Sequence, residues 1–471
     1  MNKRFFIATA ALCGTALVAG QFGAATAGEG SGGDSSFAPG ADVIVGAIPN
    51  VATYAAVTSG GVTTMAYAFG TTSCNIGTAQ LEWFQSPDNR HPFIPMNAYR
   101  WKGNRFEHIG MGWGKHGFTA LQQTLCGACT SSGTGTYLGI GCSDPYSASL
   151  NGSQSGLGTR TEVNAATGTF PGTFNSGAAS ASTTVHRRVQ IRSTDLDPAQ
   201  NAGARYVSEG HYIHQQDATA GNDNNNASWR EFTVGAVGTN GSRALTLTGA
   251  TFQQKAAIEA WKSFDPAVKL STVDVAGDGR FIVGCKVTDN GNGTWHYEYA
   301  VQNFNSHRSG RSFSVPVPAG TAITNAGFKD INYHSGDPYD PTDWTISTTG
   351  GAVTWTGGDF AANPNGNALR FSTLYNFWFD ASNAPTAANA AIGLFRPGTA
   401  GDPASVTVAV DGPGGIPPNP ADLDGNGVVN GADLGFMLAA WGACPAPCPA
   451  DLDGNGQVDG ADLSALLAAW G

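Results

Sequence analysis

The sequence predicts a mainly β protein: a β-sandwich-type body with few helices, then a small C-terminal α module of two loop-helix repeats. Three observations predict it. Gly (65 residues) and Pro (24) punctuate a chain that is still 41% hydrophobic, which suits turn-rich β structure better than disorder. Between Thr251 and Val410, short apolar runs alternate with period two and are separated by turn residues. Near the end, DLDGNGVVNGAD from Asp422 returns as DLDGNGQVDGAD from Asp451, in a chain with only 13% charged residues.

The first element is an expected export signal over residues 1–27. Lys3 and Arg4 precede an apolar run from Phe5 to Gly20, and Ala25-Thr26-Ala27 is a small-x-small cleavage site. The run is too short for a membrane span, and no later stretch is long enough to cross a bilayer. Residues 28–40 read as a flexible leader. The expected product is secreted.

Residues 41–250 read as a β-rich, disulfide-stapled domain of unknown function. Beyond the signal there are seven cysteines, and an oxidising compartment favours disulfides over metal thiolates. Cys74, Cys126, Cys129 and Cys142 are expected to pair among themselves in one of three connectivities. Cys444 and Cys448 are expected to form a local bridge, leaving Cys285. A helix is predicted near Phe118, with Leu121 and Leu125 on one face. A second is predicted over Gln253–Phe264, where Ala256, Ala257, Ala260 and Trp261 recur at helical spacing.

Residues 251–410 read as the β-sandwich. RFIVGCKVT and TWHYEYAVQ flank DNGNG, a hairpin turn. Trp295, Tyr297, Tyr299 and Val301 share one face, and His296, Glu298 and Gln302 the other. Phe281, Val283, Cys285 and Val287 also share a face, which places Cys285 in a core. DGPGGIPPNP, residues 411–420, reads as a stiff linker.

In residues 421–471, Asp422, Asp424, Asn426, Asn430 and Asp433 stand at loop positions 1, 3, 5, 9 and 12, with a backbone carbonyl from Val428 at position 7. The second copy supplies Asp451, Asp453, Asn455, Asp459 and Asp462, with Gln457 at position 7. Gly427 and Gly456 take the sharp turn at position 6. This is the pattern of a calcium loop, hard oxygen donors around a hard cation. Carboxylate repulsion opposes the loop without the ion, so folding and binding are coupled. The cofactor expected is Ca²⁺, two ions. After each loop an apolar stripe follows at i, i+3, i+4 and i+7: Leu434, Met437, Leu438 and Trp441, then Leu463, Leu466, Leu467 and Trp470. The two stripes are expected to pack face to face.

Two such repeats after a Pro-rich linker resemble a type I dockerin. That resemblance implies a cohesin-like partner on a scaffold or cell-surface protein. The chain departs from the general EF-hand at position 12, which is Asp where that motif has Glu, a replacement that dockerins commonly tolerate. It departs from the family at positions 10 and 11, Gly431-Ala432 and Gly460-Ala461, where characterised dockerins carry partner specificity.

The body offers no G-x-S-x-G, H-E-x-x-H or phosphate-binding loop, so no catalytic residue is assigned. His211 and His214 alternate on a strand pattern as two half-exposed positions. His108, Met111 and His116 could hold a metal, but the surrounding glycines favour a stapled loop packed by Trp113 and Phe118. Glu82, Glu107, Asp144, Glu162 and Glu209 are possible glycosidase carboxylates without a known separation. Trp83, Trp101, Trp113, Trp229, Trp295, Trp344, Trp355 and Trp378 could stack on sugars, although most aromatics in β domains are core. NDNNNAS, residues 222–228, reads as a solvated loop. The net charge of -11, with seven Asp and no Lys, Arg or Glu in the last 51 residues, argues against nucleic acid and for cations. The expectation is a secreted, calcium-dependent tethering protein whose β body is available to bind a polysaccharide or another surface ligand. A dockerin-borne hydrolase of O-glycosyl bonds and a structural surface-layer component are the other two readings.

Overall fold

The computed structural model describes residues 38–153, 156–172, 184–333, 337–414, 419–424, 426, 428–445 and 447–471. The expected signal, most of the leader, residues 415–418 of the linker, and Gly427 lie outside these residues.

Strands dominate, and the longest helices among the described residues have nine residues each. An eight-stranded antiparallel sheet forms the first half. Its order is Arg243–Phe252, Ala227–Val237, Arg205–His211, Met96–Lys102, Arg105–Met111, Val189–Arg192, Val62–Phe69 and Val51–Ser59. A three-stranded sheet of Val43–Ala47, Thr71–Asn75 and Ser143–Tyr146 shares a core with it through Val43, Val45, Tyr67, Phe69, Tyr146 and Ile191.

The second half is a sandwich of two five-stranded sheets. Tyr297, Tyr299, Val301, Phe281, Val283 and Cys285 from one sheet meet Phe313, Val353, Trp355, Ile392 and Val408 from the other. The period-two reading of these strands therefore holds. The hairpin pairs Asp289 with Trp295, and Gly291 and Gly293 take φ of 72° and 81° in the turn. Cys285 is a buried free thiol donating to the Asp411 carbonyl at 3.6 Å, and burial pushes its pKa up to about 12.

The opposite face of the strand Trp295–Asn303 packs on the first half. Tyr99, Phe106, Val207 and Trp229 share one core with Trp261, Ile282, Ala300 and Leu374. A polar network runs beside it. Glu209 is fully buried and accepts from Asn97 (2.8 Å), Tyr99 (2.8 Å), Gln302 (2.9 Å) and the Ala257 amide (2.7 Å). Four donors satisfy a carboxylate that would otherwise be costly to bury.

Two expected boundaries fall inside strands. Arg243–Phe252 runs across position 250, and Ser405–Pro413 runs past position 410. The latter is an edge strand, where a proline is tolerated. Asp411 pairs with Ala387, and its carbonyl also accepts the Tyr299 hydroxyl at 2.7 Å.

The helix predicted near Phe118 does not form. Thr119 takes a φ of 31°, and the Leu121 amide donates to Asp144 at 2.7 Å instead of to a helical carbonyl. The bridges Cys74–Cys126 and Cys129–Cys142 hold this loop, so the connectivity left open by sequence is settled. The predicted helix over Gln253–Phe264 is regular only over Ile258–Phe264, because Gln254 takes a φ of 55°.

Candidate metal centre

Each acidic loop folds onto the start of a helix. Asn430 caps Gly431–Ala439 by accepting from the Ala432 amide at 2.8 Å, and Asp459 caps Gly460–Ala468 through Ala461 at 2.8 Å. Asp433 and Asp462 complete capping boxes by accepting from the amides of Asn430 and Asp459, each at 2.8 Å. Their other oxygens reach back across the loops. Asp433 Oδ1 accepts from Leu423 (2.8 Å) and Asp424 (3.2 Å), and Asp462 Oδ1 from Leu452 (2.7 Å) and Asp453 (3.2 Å). Both aspartates are fully buried, and these backbone donors hold their carboxyls below the usual carboxylate range.

The result is two clusters of like geometry. Asp422, Asp424 and Asp433 each place a carboxylate oxygen within 4.8 Å of the others, and Asp451, Asp453 and Asp462 repeat this. Either cluster could hold a metal ion. Asn426 and Asn455 stitch their loops: their amides donate to Asp424 (2.9 Å) and Asp453 (3.0 Å), and their side-chain oxygens accept from Val428 (2.9 Å) and Gln457 (2.8 Å). The Val428 carbonyl accepts from Asn430 at 3.1 Å. Gly456 takes a φ of 87°, the left-handed turn expected at position 6.

The two repeats clasp each other. Gly442 and Ala443 pair antiparallel with Val458 and Gln457, and the Gly471 amide donates to the Val429 carbonyl at 3.1 Å. Cys444–Cys448 bridges the connection. Met437 and Leu466 are buried at the centre of the module's core, with Leu434 and Leu463 beside them. The rest of each stripe does not pack face to face as expected. Leu438 (53% exposed), Trp441 (49%), Leu467 (53%) and Trp470 (47%) stay uncovered, because each short helix contacts the module's core along only one side.

Among the sequence candidates in the body, His116 and Glu162 meet through a hydrogen bond, whereas His108, Met111 and His116 have separate surroundings. His108 stacks on Tyr99 with ring centroids 4.5 Å apart, Met111 lies in the sandwich core, and His116 bonds Glu162 at 2.9 Å and His91 at 3.0 Å. His211 and His214 are buried rather than half-exposed, the first against Phe304 and the second capping a helix. The five candidate carboxylates have separate partners. Glu82 faces Arg90, Glu107 faces Arg100 and Lys329, Glu162 faces His116, Asp144 takes the Leu121 amide, and Glu209 sits in its network. Trp83, Trp113, Trp229, Trp344 and Trp355 are core residues.

Sequence reasoning named His116 and Glu162 separately but did not assemble two buried clusters. One is the chain His91–His116–Glu162, enclosed by Phe93 and Phe170. Burial first, then the neighbouring His116, pushes the His91 imidazole down to about 3, so the ring is neutral and packs as core. The other joins Asp42, Asp217, Asn225 and Asn226. The NDNNNAS stretch is thus not simply solvated, since Asn226, Ala227 and Ser228 are fully buried.

No protein family matches the sequence, and no characterised protein matches it either. Among solved structures, a serine-rich repeat adhesion glycoprotein (Srr1) from Streptococcus agalactiae aligns over 74% of this chain and 89% of its own. The identity is 8% and the TM-score 0.20, and no functional argument rests on it. Among the described residues no helix is long and apolar enough to cross a membrane.

Proposed function

We propose that the tail is a calcium-dependent dockerin-like module that tethers a secreted β body to a cohesin-like partner. One observation carries the reading: each repeat draws three carboxylates within 4.8 Å at a capped helix start. Oxygen-only donors favour Ca²⁺ over softer metals: beside the carboxylates and a backbone carbonyl, the first loop adds two amide side chains, Asn426 and Asn430, and the second adds Asn455. The ligands assigned are Asp422, Asp424, Asn426, Val428, Asn430 and Asp433, then Asp451, Asp453, Asn455, Gln457, Asp459 and Asp462, with Asn430 and Asp459 acting through their caps or through water.

The uncovered apolar rows support the tethering half. Among the described residues, six of the thirteen exposed large hydrophobics lie in the tail, including both exposed tryptophans. Exposed aromatic and aliphatic clusters of this kind mark interaction surfaces. Three disulfides fit an oxidising, extracellular setting. The test is calorimetric titration of the full chain with Ca²⁺, followed by binding to a panel of cohesin modules with calcium or chelator. Two equivalents lost on Asp433→Ala with Asp462→Ala, and chelator-sensitive capture by a cohesin, are expected. Unchanged calcium uptake in that variant would refute the assignment.

A further inference from the structure

One end of the second sandwich sheet gathers arginines. The strands Gly310–Pro316 and Pro385–Leu394 pair, and their pairing continues past the strand ends, where the Phe395 amide donates to the Ser309 carbonyl at 3.0 Å. The next rung sets Arg308 opposite Arg396. The Arg396 amide donates to the Arg308 carbonyl at 2.8 Å, and Arg308 Nε donates to the Arg396 carbonyl at 3.2 Å. Like charges directly opposite on paired chains are destabilising. A register shift between Gly310 and Ser312 leaves Arg311 as an extra residue beside them, and such a bulge re-aims a side chain. All three arginines line one cavity of about 330 Å³. Small-ligand clefts occupy about 300–1,000 Å³.

Two of the three lack a counter-charge. Arg311 pairs with Asp359 at 2.5 Å, but neither Arg308 nor Arg396 forms an ion pair among the described residues. Arg308 directs Nε and Nη1 to the carbonyls of Arg396 and Pro403. The Arg396 guanidinium donates no hydrogen bond there, and its Nε is buried. Arg370 stands on the Phe395 ring, with its Cζ 4.6 Å from the centroid, and adds positive charge from within the body, where it is 5% exposed. Burial first, then the Arg370 charge, holds Arg396 below the usual guanidinium range. Asp278 opposes this, but its carboxylate already accepts from the Ser306 hydroxyl and from the His307 and Arg308 amides. A half-buried guanidinium without an acceptor is costly, and an anion in the cavity removes that cost.

The rest of the lining selects the kind of anion. Phe360 is half-buried, stands edge-on to Phe395 with ring centroids 5.3 Å apart, and has Arg396 Cζ 5.6 Å from its own centroid. Asp359 and Asp402 line the same cavity as acceptors, the latter held by the Thr399 amide and hydroxyl at 2.7 and 2.8 Å. Gly398 leaves the space between them open, since a Cβ there would lie 3.0 Å from Arg308 Cζ and 2.6 Å from Asp402 Cβ. A bare inorganic anion would meet the two carboxylates as repulsion, and a fatty acid would bring them no donors. A sugar with an acidic substituent answers each group. Its acid takes the fork of a guanidinium, its C–H face lies on Phe360, and its hydroxyls donate to Asp359 and Asp402. We propose that the cavity between Arg308, Arg396 and Phe360 binds an acidic sugar, independently of the tail module.

The experiment titrates the full chain with glucuronate, its methyl ester, glucose 6-sulfate and glucose, read by saturation-transfer NMR. Glucuronate or glucose 6-sulfate is expected to bind about tenfold or more tighter than its uncharged counterpart, and the comparison between the two acids tells carboxylate from sulfate. Arg396→Gln is expected to weaken the acidic sugar by about tenfold or more while keeping the near-ultraviolet circular dichroism of the parent, because the side chain has no hydrogen bond to lose. Arg308→Gln is the companion variant and should weaken it in the same direction. Sodium sulfate is expected to compete only at far higher concentration than the acidic sugar. No binding of either acid, or equal binding of acids and uncharged counterparts, overturns the site. So does parental affinity in both arginine variants. Competition by sodium sulfate at the same concentration as the acidic sugar overturns the sugar assignment.

Discussion

The Arg105 guanidinium grips the Glu298 carboxylate with two hydrogen bonds, at 2.7 and 2.8 Å, across the junction of the two halves of the body. Arg105 closes a hairpin of the eight-stranded sheet, and Glu298 lies on the sandwich strand that packs against it, with its side chain 1% exposed. The guanidinium also covers the Trp378 ring at 3.5 Å. The pair therefore combines bidentate geometry with stacking, which Lys cannot reproduce.

Arg105→Ala should strand a buried carboxylate. Removing one member of such a pair costs about 3 kcal/mol, whereas Glu298→Gln should cost less because the Arg105 left without a counter-charge is 24% exposed and reaches water. Urea denaturation of the two variants checks the order. Equal loss would mean the ion pair is not what joins the halves here.

The same carboxylate touches His296, which makes the junction sensitive to pH. Burial pulls the His296 imidazole down, but its bonds to Glu298 (3.3 Å) and Asp380 (2.6 Å) outweigh this and raise its pKa above 6.5. The folded state thus binds the proton more tightly than the unfolded chain. This stabilisation is full below about pH 6.5 and is lost as pH rises through the folded value. Unfolding midpoints measured from pH 5 to pH 9 should show that decline, and His296→Gln should flatten this part of the profile.

The disulfides differ in the loop each closes. Cys74–Cys126 spans 52 residues and Cys129–Cys142 spans 13. Chain entropy then assigns about 4 kcal/mol to the first and about 3 kcal/mol to the second. Paired Cys→Ala variants, compared by equilibrium denaturation, should rank in that order. The reverse ranking would show that native packing around the shorter loop dominates.

How far the sequence could be read depended on how local each feature is. The tail loops were legible because all ligands of one cluster fall within twelve consecutive positions, so spacing alone brings Asp422, Asp424 and Asp433 together. The sandwich strands were legible because period two survives wherever one face is buried, as at Tyr297, Tyr299 and Val301. The opposite face gave less away. Glu298 and Gln302 look like solvent positions but are buried against the first half. The oxygens around Asp42 were not legible, since Asp217 meets the neighbouring Val43 across 174 residues. At Phe118 the helical spacing of Leu121 and Leu125 misled, because both are exposed and loop hydrogen bonds replace the helix.

The split stripes of the tail allow folding and docking to be separated. Met437 fills the module's core, so Met437→Ala should cost about 2 kcal/mol or more and weaken calcium binding through the coupled fold. Leu438 and Trp441 are about half exposed, and their partners in the second repeat, Leu467 and Trp470, match them closely. Truncating Leu438 or Trp441 to Ala should change the module's stability by no more than about 0.5 kcal/mol. At a docking surface the same truncations should weaken capture by roughly 1–2 kcal/mol or more, a factor of five to thirty. Calcium-dependent circular dichroism reads the first quantity and surface plasmon resonance against a bound cohesin module reads the second. If Trp441→Ala and Trp470→Ala together leave capture unchanged while Met437→Ala abolishes it, the exposed rows are not the contact surface. Recognition would then lie in the loops themselves, around Gly431-Ala432 and Gly460-Ala461.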